Sequence, residues 1–198
     1  SVNNLIALTH TNNDQQARTP AYTYDALYRT TQITQSGTGV SNKRVDLTYD
    51  AASQRTGIAR YADLLGTQNV ATTDYGYDLT GKLTRLTHQR NSTTYADYQW
   101  TFDAADRIVQ FISPDGTSNY NYDSRDQLTS TDHSYQSDEA YTYDANGNRT
   151  NSGYQTGQNN RLLSDGTYTY TYDNEGNRTN RTNITTGELT QYTWDYHN

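Results

Sequence analysis

The sequence predicts an all-β protein: a repeat array of antiparallel β-hairpins that form a continuous, twisted and spiralling sheet, an open section of a β-shell or solenoid. Three observations predict it. Eight times in 198 residues the chain writes an aromatic residue or its stand-in, a spacer, a second aromatic residue and then Asp. Its 34 Thr and 20 Tyr are β-branched and aromatic types that suit a pleated, half-buried surface. Behind most Asp residues, Gly, Asn, Asp or Ser stands three positions on, the spacing of a tight turn.

The copies, in order, begin with Tyr22-Thr23-Tyr24-Asp25, Leu47-Thr48-Tyr49-Asp50, Tyr75-Gly76-Tyr77-Asp78 and Trp100-Thr101-Phe102-Asp103. Four more follow: Tyr120-Asn121-Tyr122-Asp123, Tyr141-Thr142-Tyr143-Asp144, Tyr170-Thr171-Tyr172-Asp173 and Tyr192-Thr193-Trp194-Asp195. The Asp residues are separated by 25, 28, 25, 20, 21, 29 and 22 positions, within the range of stacked repeat units. Such arrays supply surface and length, whereas a catalytic site needs one unrepeated constellation.

Within each copy the two aromatic residues fall on one face of a strand, and the spacer, usually Thr, faces solvent, because side chains alternate with period two. Asp opens the turn as residue i, and Gly81, Gly147 and Gly176 close it in a left-handed conformation. The other copies place Tyr28, Ser53, Asp106, Asp126 and Asn198 there. Asp and Asn tolerate positive φ, so Tyr28 is the position where a different turn or local strain is expected. Lys82, Arg149 and Arg178 begin return strands and are placed to pair with the opening Asp. Apolar positions such as Leu83, Leu86, Ile108, Leu128, Leu162 and Leu163 continue those strands, and looser connections rich in Gly, Ser, Asn and Pro lead to the next copy. Consecutive hairpins should pair side by side, since an isolated ribbon is marginal in water.

Composition sharpens this. Leu, Ile, Val and Phe number only 26, a proportion that alone would signal disorder, but charged residues are only 19% of the chain. Tyr therefore has to build the core, each ring burying on the order of 150–250 Å². A net charge of −7 argues against a nucleic-acid partner, which demands clustered cations. No stretch is apolar enough for a membrane span, and the absence of Cys excludes disulfides and thiolate metal sites.

The match of Leu5-Ile6-Ala7-Leu8-Thr9-His10 to Leu83-Thr84-Arg85-Leu86-Thr87-His88 reads as the second half of a repeat, and the chain stops soon after Asp195. Residues 1–198 are accordingly expected to be a single array cut in mid-repeat at both ends. Uncapped sheet edges would then invite head-to-tail pairing between copies of the chain.

These motifs resemble the YD-repeat or Rhs-repeat family, whose signature is Tyr-x-Tyr-Asp-x-x-Gly-Arg. Tyr22 to Arg29 matches except for the Gly, Tyr75 to Lys82 with Lys for Arg, and Tyr141 to Arg149 and Tyr170 to Arg178 with one extra residue before the Arg. The resemblance implies a spiral of hairpins forming a shell. In bacterial polymorphic toxins and toxin-complex subunits that shell encloses a C-terminal toxic domain, and in teneurin-like ectodomains it serves adhesion. It also implies secretion or cell-surface display, and neighbouring repeats of the parent chain as the principal partners.

Chemical readings are weaker. Asp144 to Asn148 hints at calcium, but an EF-hand needs an acidic ligand where Gln155 stands. His10, His88, His133 and His197 show no zinc spacing, and the repeated Asp residues are already assigned to turns, so no catalytic, cofactor or metal residue is nominated. The rival reading is a carbohydrate- or cell-wall-binding module in which exposed aromatic rows stack on sugars. Burial of the rings decides between them.

Overall fold

The computed structural model describes residues 4–7, 10–11 and 17–195. Two compact units divide the chain, residues 1–118 and 119–198. Among the described residues every regular element apart from one 3-10 turn is a β-strand.

The first unit is one antiparallel sheet. Its strands are β1 (His10–Thr11), β2 (Ala17–Tyr24), β3 (Thr30–Ser36), β4 (Lys43–Tyr49), β5 (Arg55–Tyr61), β6 (Asn69–Tyr77), β7 (Leu83–Arg90), β8 (Thr93–Phe102) and β9 (Ile108–Ser113). Each pairs with the next in chain order, with no crossover. Strand β10 (Gly116–Tyr122) runs through the division. The second unit continues with β11 (Leu128–His133) and β12 (Glu139–Ala140), which pair. A separate sheet contains β13 (Tyr154–Thr156), β14 (Leu162–Asp165), β15 (Tyr168–Tyr172), β16 (Arg178–Asn183) and β17 (Leu189–Gln191), again in chain order.

Register follows the expected alternation. Tyr22 lies opposite Ile33, Leu47 opposite Ile58, Tyr75 opposite Leu86 and Trp100 opposite Phe111, placing the first motif position against an apolar residue of the return strand. The spacers Thr23, Thr48, Thr101, Thr142 and Thr171 are exposed, as predicted. Apart from the exposed Trp194, the aromatic pairs are half-buried rather than enclosed: among the described residues Tyr170, 9% exposed, is the one apolar side chain in the buried class. The most buried positions are instead the small residues Thr73 and Ser118, over which larger neighbours close. Within the first unit the described strands contact their sheet neighbours, and rings such as Tyr98, Trp100 and Phe111 cover one another laterally along the sheet.

Three connections are tighter than expected, one of them the Ser113-Pro114-Asp115-Gly116 segment, where Pro114 and Asp115 alone join β9 to β10 in place of the predicted looser connection. Asn91 and Ser92, both at positive φ (48° and 64°), form a two-residue hairpin loop between β7 and β8 of the kind whose twist suits flanking strands. Gly166 and Thr167 join β14 to β15 with the same economy.

The sheet is not continuous through the sixth copy. Tyr141 to Asp144 is no regular strand; it keeps a single bridge, Tyr143 to Arg149. The cause is Asn151. Its side-chain Nδ2 donates to the Ala140 carbonyl at 2.6 Å and its Oδ1 accepts from the Thr142 amide at 3.2 Å, satisfying the two backbone groups that a longer return strand would have used. The chain then turns away at Gly153, which passes so close to Gly166 that a Cβ there would lie 2.6 Å from its Cα.

Candidate functional site

The repeated unit of this protein is its turn, and the turn is built around one carboxylate. In the first copy the Asp25 amide donates to the Arg29 carbonyl, and the Tyr28 amide donates to the Asp25 carbonyl, each at 3.0 Å. Asp25 Oδ1 accepts from the amides of Leu27 and Arg29 at 2.9 and 3.0 Å. This is a three-residue loop ending in a left-handed residue, with the bulge that such loops impose on the strand register. Asp50, Asp78, Asp103, Asp123, Asp144 and Asp173 repeat both backbone bonds.

The closing residue is left-handed in all seven: Tyr28, Ser53, Gly81, Asp106, Asp126, Gly147 and Gly176, with φ from 63° to 97°. Tyr28 therefore adopts the common turn and carries the strain, rather than escaping into a different turn. Asn198, the corresponding position of the Tyr192-Trp194-Asp195 copy, lies outside the described residues, as does His197.

These hydrogen bonds hold the carboxyls of Asp25, Asp78, Asp103 and Asp144 below their usual range. Asp78 is lowered to about 2, first by the Thr80 hydroxyl and then by the Lys82 amide. Asp25 is lowered chiefly by the Arg29 amide, Asp103 by the Arg107 side chain and Asp144 by the Asn148 side chain. The Asp144 oxygens are thus engaged by Asn146 and Asn148 in the turn that calcium was considered for.

The residue four after Asp ties one copy to the next. Arg29 bonds Asp25 at 2.7 Å, reaches the Asp50 carbonyl at 2.9 Å and lies over the Tyr49 ring at 4.7 Å. Gln54 donates to the Gly81 carbonyl at 2.9 Å, and Lys82 to Asp106 at 2.8 Å. Lys82 also pairs with Asp78, as expected, at 3.5 Å. Arg149 and Arg178 do not take this position. Their extra residue places Asn148 and Asn177 there, donating to Asp144 and Asp173, while the guanidinium groups sit over Tyr141 at 3.9 Å and Tyr170 at 4.2 Å.

The second aromatic residue reaches the other way. Tyr49 donates its hydroxyl to the Thr30 carbonyl, Tyr77 to Arg55, Tyr143 to Leu128 and Tyr172 to Leu162, all at 2.7–2.9 Å. Tyr24 does so to Leu5 at 2.5 Å, and Trp194 uses its indole N–H on Arg178 at 2.7 Å. Apart from Leu5, each acceptor directly follows the fourth residue after the opening residue of the preceding turn: Arg29, Gln54, Gln127, Arg161 or Asn177. Phe102 breaks the series because it has no donor. Tyr22, Tyr75, Trp100, Tyr120, Tyr141 and Tyr192 at the first position are half-buried, and Tyr122 likewise. At the buried first position of the seventh copy, burial and then the Asp165 carboxylate, which Tyr170 contacts at 2.5 Å, push the phenol up to about 12.

This geometry exposes a further unit that the motif search overlooks. Tyr154-Gln155-Thr156-Gly157-Gln158-Asn159-Asn160-Arg161 has Thr for the second aromatic residue and Gly for Asp, yet the Gly157 amide donates to the Arg161 carbonyl at 2.8 Å and Asn160 is left-handed at φ 56°. Arg161 reaches the Asp173 carbonyl at 3.3 Å and faces the Tyr172 ring at 5.8 Å, as Arg29 does with Asp50 and Tyr49. Asn148 connects to it through Asn160 at 3.0 Å. The 29-residue interval from Asp144 to Asp173 is therefore two short units.

No family model matches the sequence, and no curated protein does. Among solved structures, one of TcdB2-TccC3-Cdc42 superposes with a TM-score of 0.43 at 16% identity, over 91% of this chain and 12% of the other. One of TcdB2-TccC3-TEV does so with a TM-score of 0.44 at 16% identity, over 90% of this chain and 13% of the other. The chain thus spans about an eighth of the length of these structural neighbours.

Proposed function

We propose that the chain is a non-catalytic, wall-building section of a larger YD- or Rhs-type repeat protein, secreted or displayed at a cell surface, whose complete shell encloses a C-terminal toxic domain or serves adhesion. The observation that carries this reading is the two-way tie between copies: staples running forward from Arg29, Gln54 and Lys82, and aromatic donors running backward from Tyr49, Tyr77, Tyr143 and Tyr172. That bonding occupies the turn carboxylates and the second-position phenols, which a repeated active site would need free. Most motif aromatics are half-covered, and the second-position donors Tyr49, Tyr77, Tyr143 and Tyr172 are committed to backbone carbonyls, which weighs against the aromatic carbohydrate-binding module. Among the described residues no helix is long and apolar enough to cross a membrane.

The test uses the parent chain. Combining Tyr49→Phe, Tyr77→Phe and Tyr143→Phe should increase protease access to whatever the wall surrounds. Turnover of any polysaccharide or peptide substrate that is abolished by a single turn-Asp substitution would refute the non-catalytic reading.

A further inference from the structure

We propose that a cavity of about 450 Å³ at the β4–β5 pair binds a small organic carboxylate with an apolar body. Its walls include Lys43, Arg44, Val45, Arg60, Tyr61 and Val70. The volume falls within the range of small-molecule sites.

The three cations differ in what they already hold. Arg44 is committed: it forms a bidentate pair with Asp46, at 2.7 Å for each bond, and lies over the Tyr61 ring at 5.5 Å. Lys43 and Arg60 have no carboxylate within ion-pair distance among the described residues. Arg60 is fixed by a 2.9 Å bond to the hydroxyl of Thr73, a residue 1% exposed, so its guanidinium is oriented without being neutralised. In a chain of net charge −7, two unneutralised cations lining one cavity form a local positive site. Val45 and Val70 supply apolar surface beside it, Val45 on the same sheet face as Lys43 and Arg60. A carboxylate would complete the charge balance, and an apolar body would cover those walls. Bulk phosphate or a bare anion would satisfy only half of this lining.

This site is independent of the wall-building role, which is read from stability and sealing rather than from ligand binding. The experiment is a calorimetric titration at low ionic strength with benzoate, acetate and benzyl alcohol as probes. Benzoate should bind saturably at one site, with acetate and benzyl alcohol each roughly tenfold weaker or worse, since each lacks one half of the match. Lys43→Gln and Arg60→Gln should each weaken benzoate about fivefold or more, and the exposed Arg90→Gln should leave it unchanged. Lys43 is solvent-exposed, so its variant keeps the fold and decides the matter if Arg60→Gln unfolds. Absence of saturable benzoate binding, equal binding of acetate or benzyl alcohol, or wild-type affinity in Lys43→Gln would overturn the assignment.

Discussion

Exchanging the residues that close two turns tests whether backbone strain or side-chain contact governs them. Tyr28 sits at φ 63° and Gly147 at φ 84° in the same hydrogen-bonded loop. An L-residue in the left-handed region costs roughly 1–2 kcal/mol. Glycine relieves that but adds unfolded-state freedom worth roughly 0.5–1 kcal/mol. Tyr28 is 58% exposed and no ring partner holds it among the described residues, so little packing is lost on its removal. Tyr28→Gly should therefore stabilise by about 0.5–1 kcal/mol, a rise of roughly 1–4 °C in melting temperature for a chain of this size. Gly147→Val should do the opposite and cost about 1 kcal/mol or more, because a β-branched residue at positive φ is an outlier. A Cβ at Gly147 would also meet Gln127 Nε2 at 3.1 Å. Thermal unfolding followed by circular dichroism, with denaturant titration as a check, measures both. If the two substitutions shift stability in the same direction, or if Tyr28→Gly destabilises, the shared strained turn is wrong.

Tyr49→Phe leaves the Thr30 carbonyl without its phenol donor and should cost about 0.5–1.5 kcal/mol, whereas Phe102→Tyr restores the series and should not destabilise; chemical denaturation compares them. Acid should unfold the array through its turns. Asp78 titrates near 2, below the ordinary carboxyl value, so its contribution is complete above about pH 4 and is lost as pH falls towards 2; Asp78→Asn should flatten the profile in that window. Tyr170, raised to about 12, contributes fully below about pH 10 and loses that contribution as pH rises through 12, so phenolate absorbance should show it among the last tyrosines to ionise, and Tyr170→Phe should remove that late step. Gly157→Asp installs the missing carboxylate in the short unit at 154–161. It should raise the melting temperature if Leu163, 40% exposed and 2.8 Å from the new Cβ, swings aside, and lower it if Leu163 stays.

The strands and turns were legible because aromatic-x-aromatic-Asp states both the alternation and its reversal within four residues. What stayed hidden involved side chains standing in for backbone or motif residues departing from type. Nothing in the local pattern marks Asn151 as the group that ends a sheet, since its role depends on Ala140 and Thr142 lying within reach across the fold. The unit at Tyr154 to Arg161 lacks both Asp and the second aromatic residue, and only Asn160-Arg161 keeps the shape of the motif's end. The spacing of 29 between Asp144 and Asp173, the longest in the series, was the available signal. Composition pointed to tyrosine as the core, and it is correct for Tyr170; elsewhere the ring's polar tip, tethered to a carbonyl, matters as much as its buried face.

Every tie described for the turns joins a copy to its immediate neighbour: Arg29 to Asp50, Tyr49 back to Thr30, Lys82 to Asp106. A gene encoding such an array can gain or lose a whole copy by recombination, and the new junction still sets a polar side chain four after one Asp beside the turn of the next copy. Losing half a copy would leave both unmatched. The length of the array is thus open to evolution in steps of one hairpin, while the chemistry of each junction is conserved by the geometry that any inserted copy must satisfy.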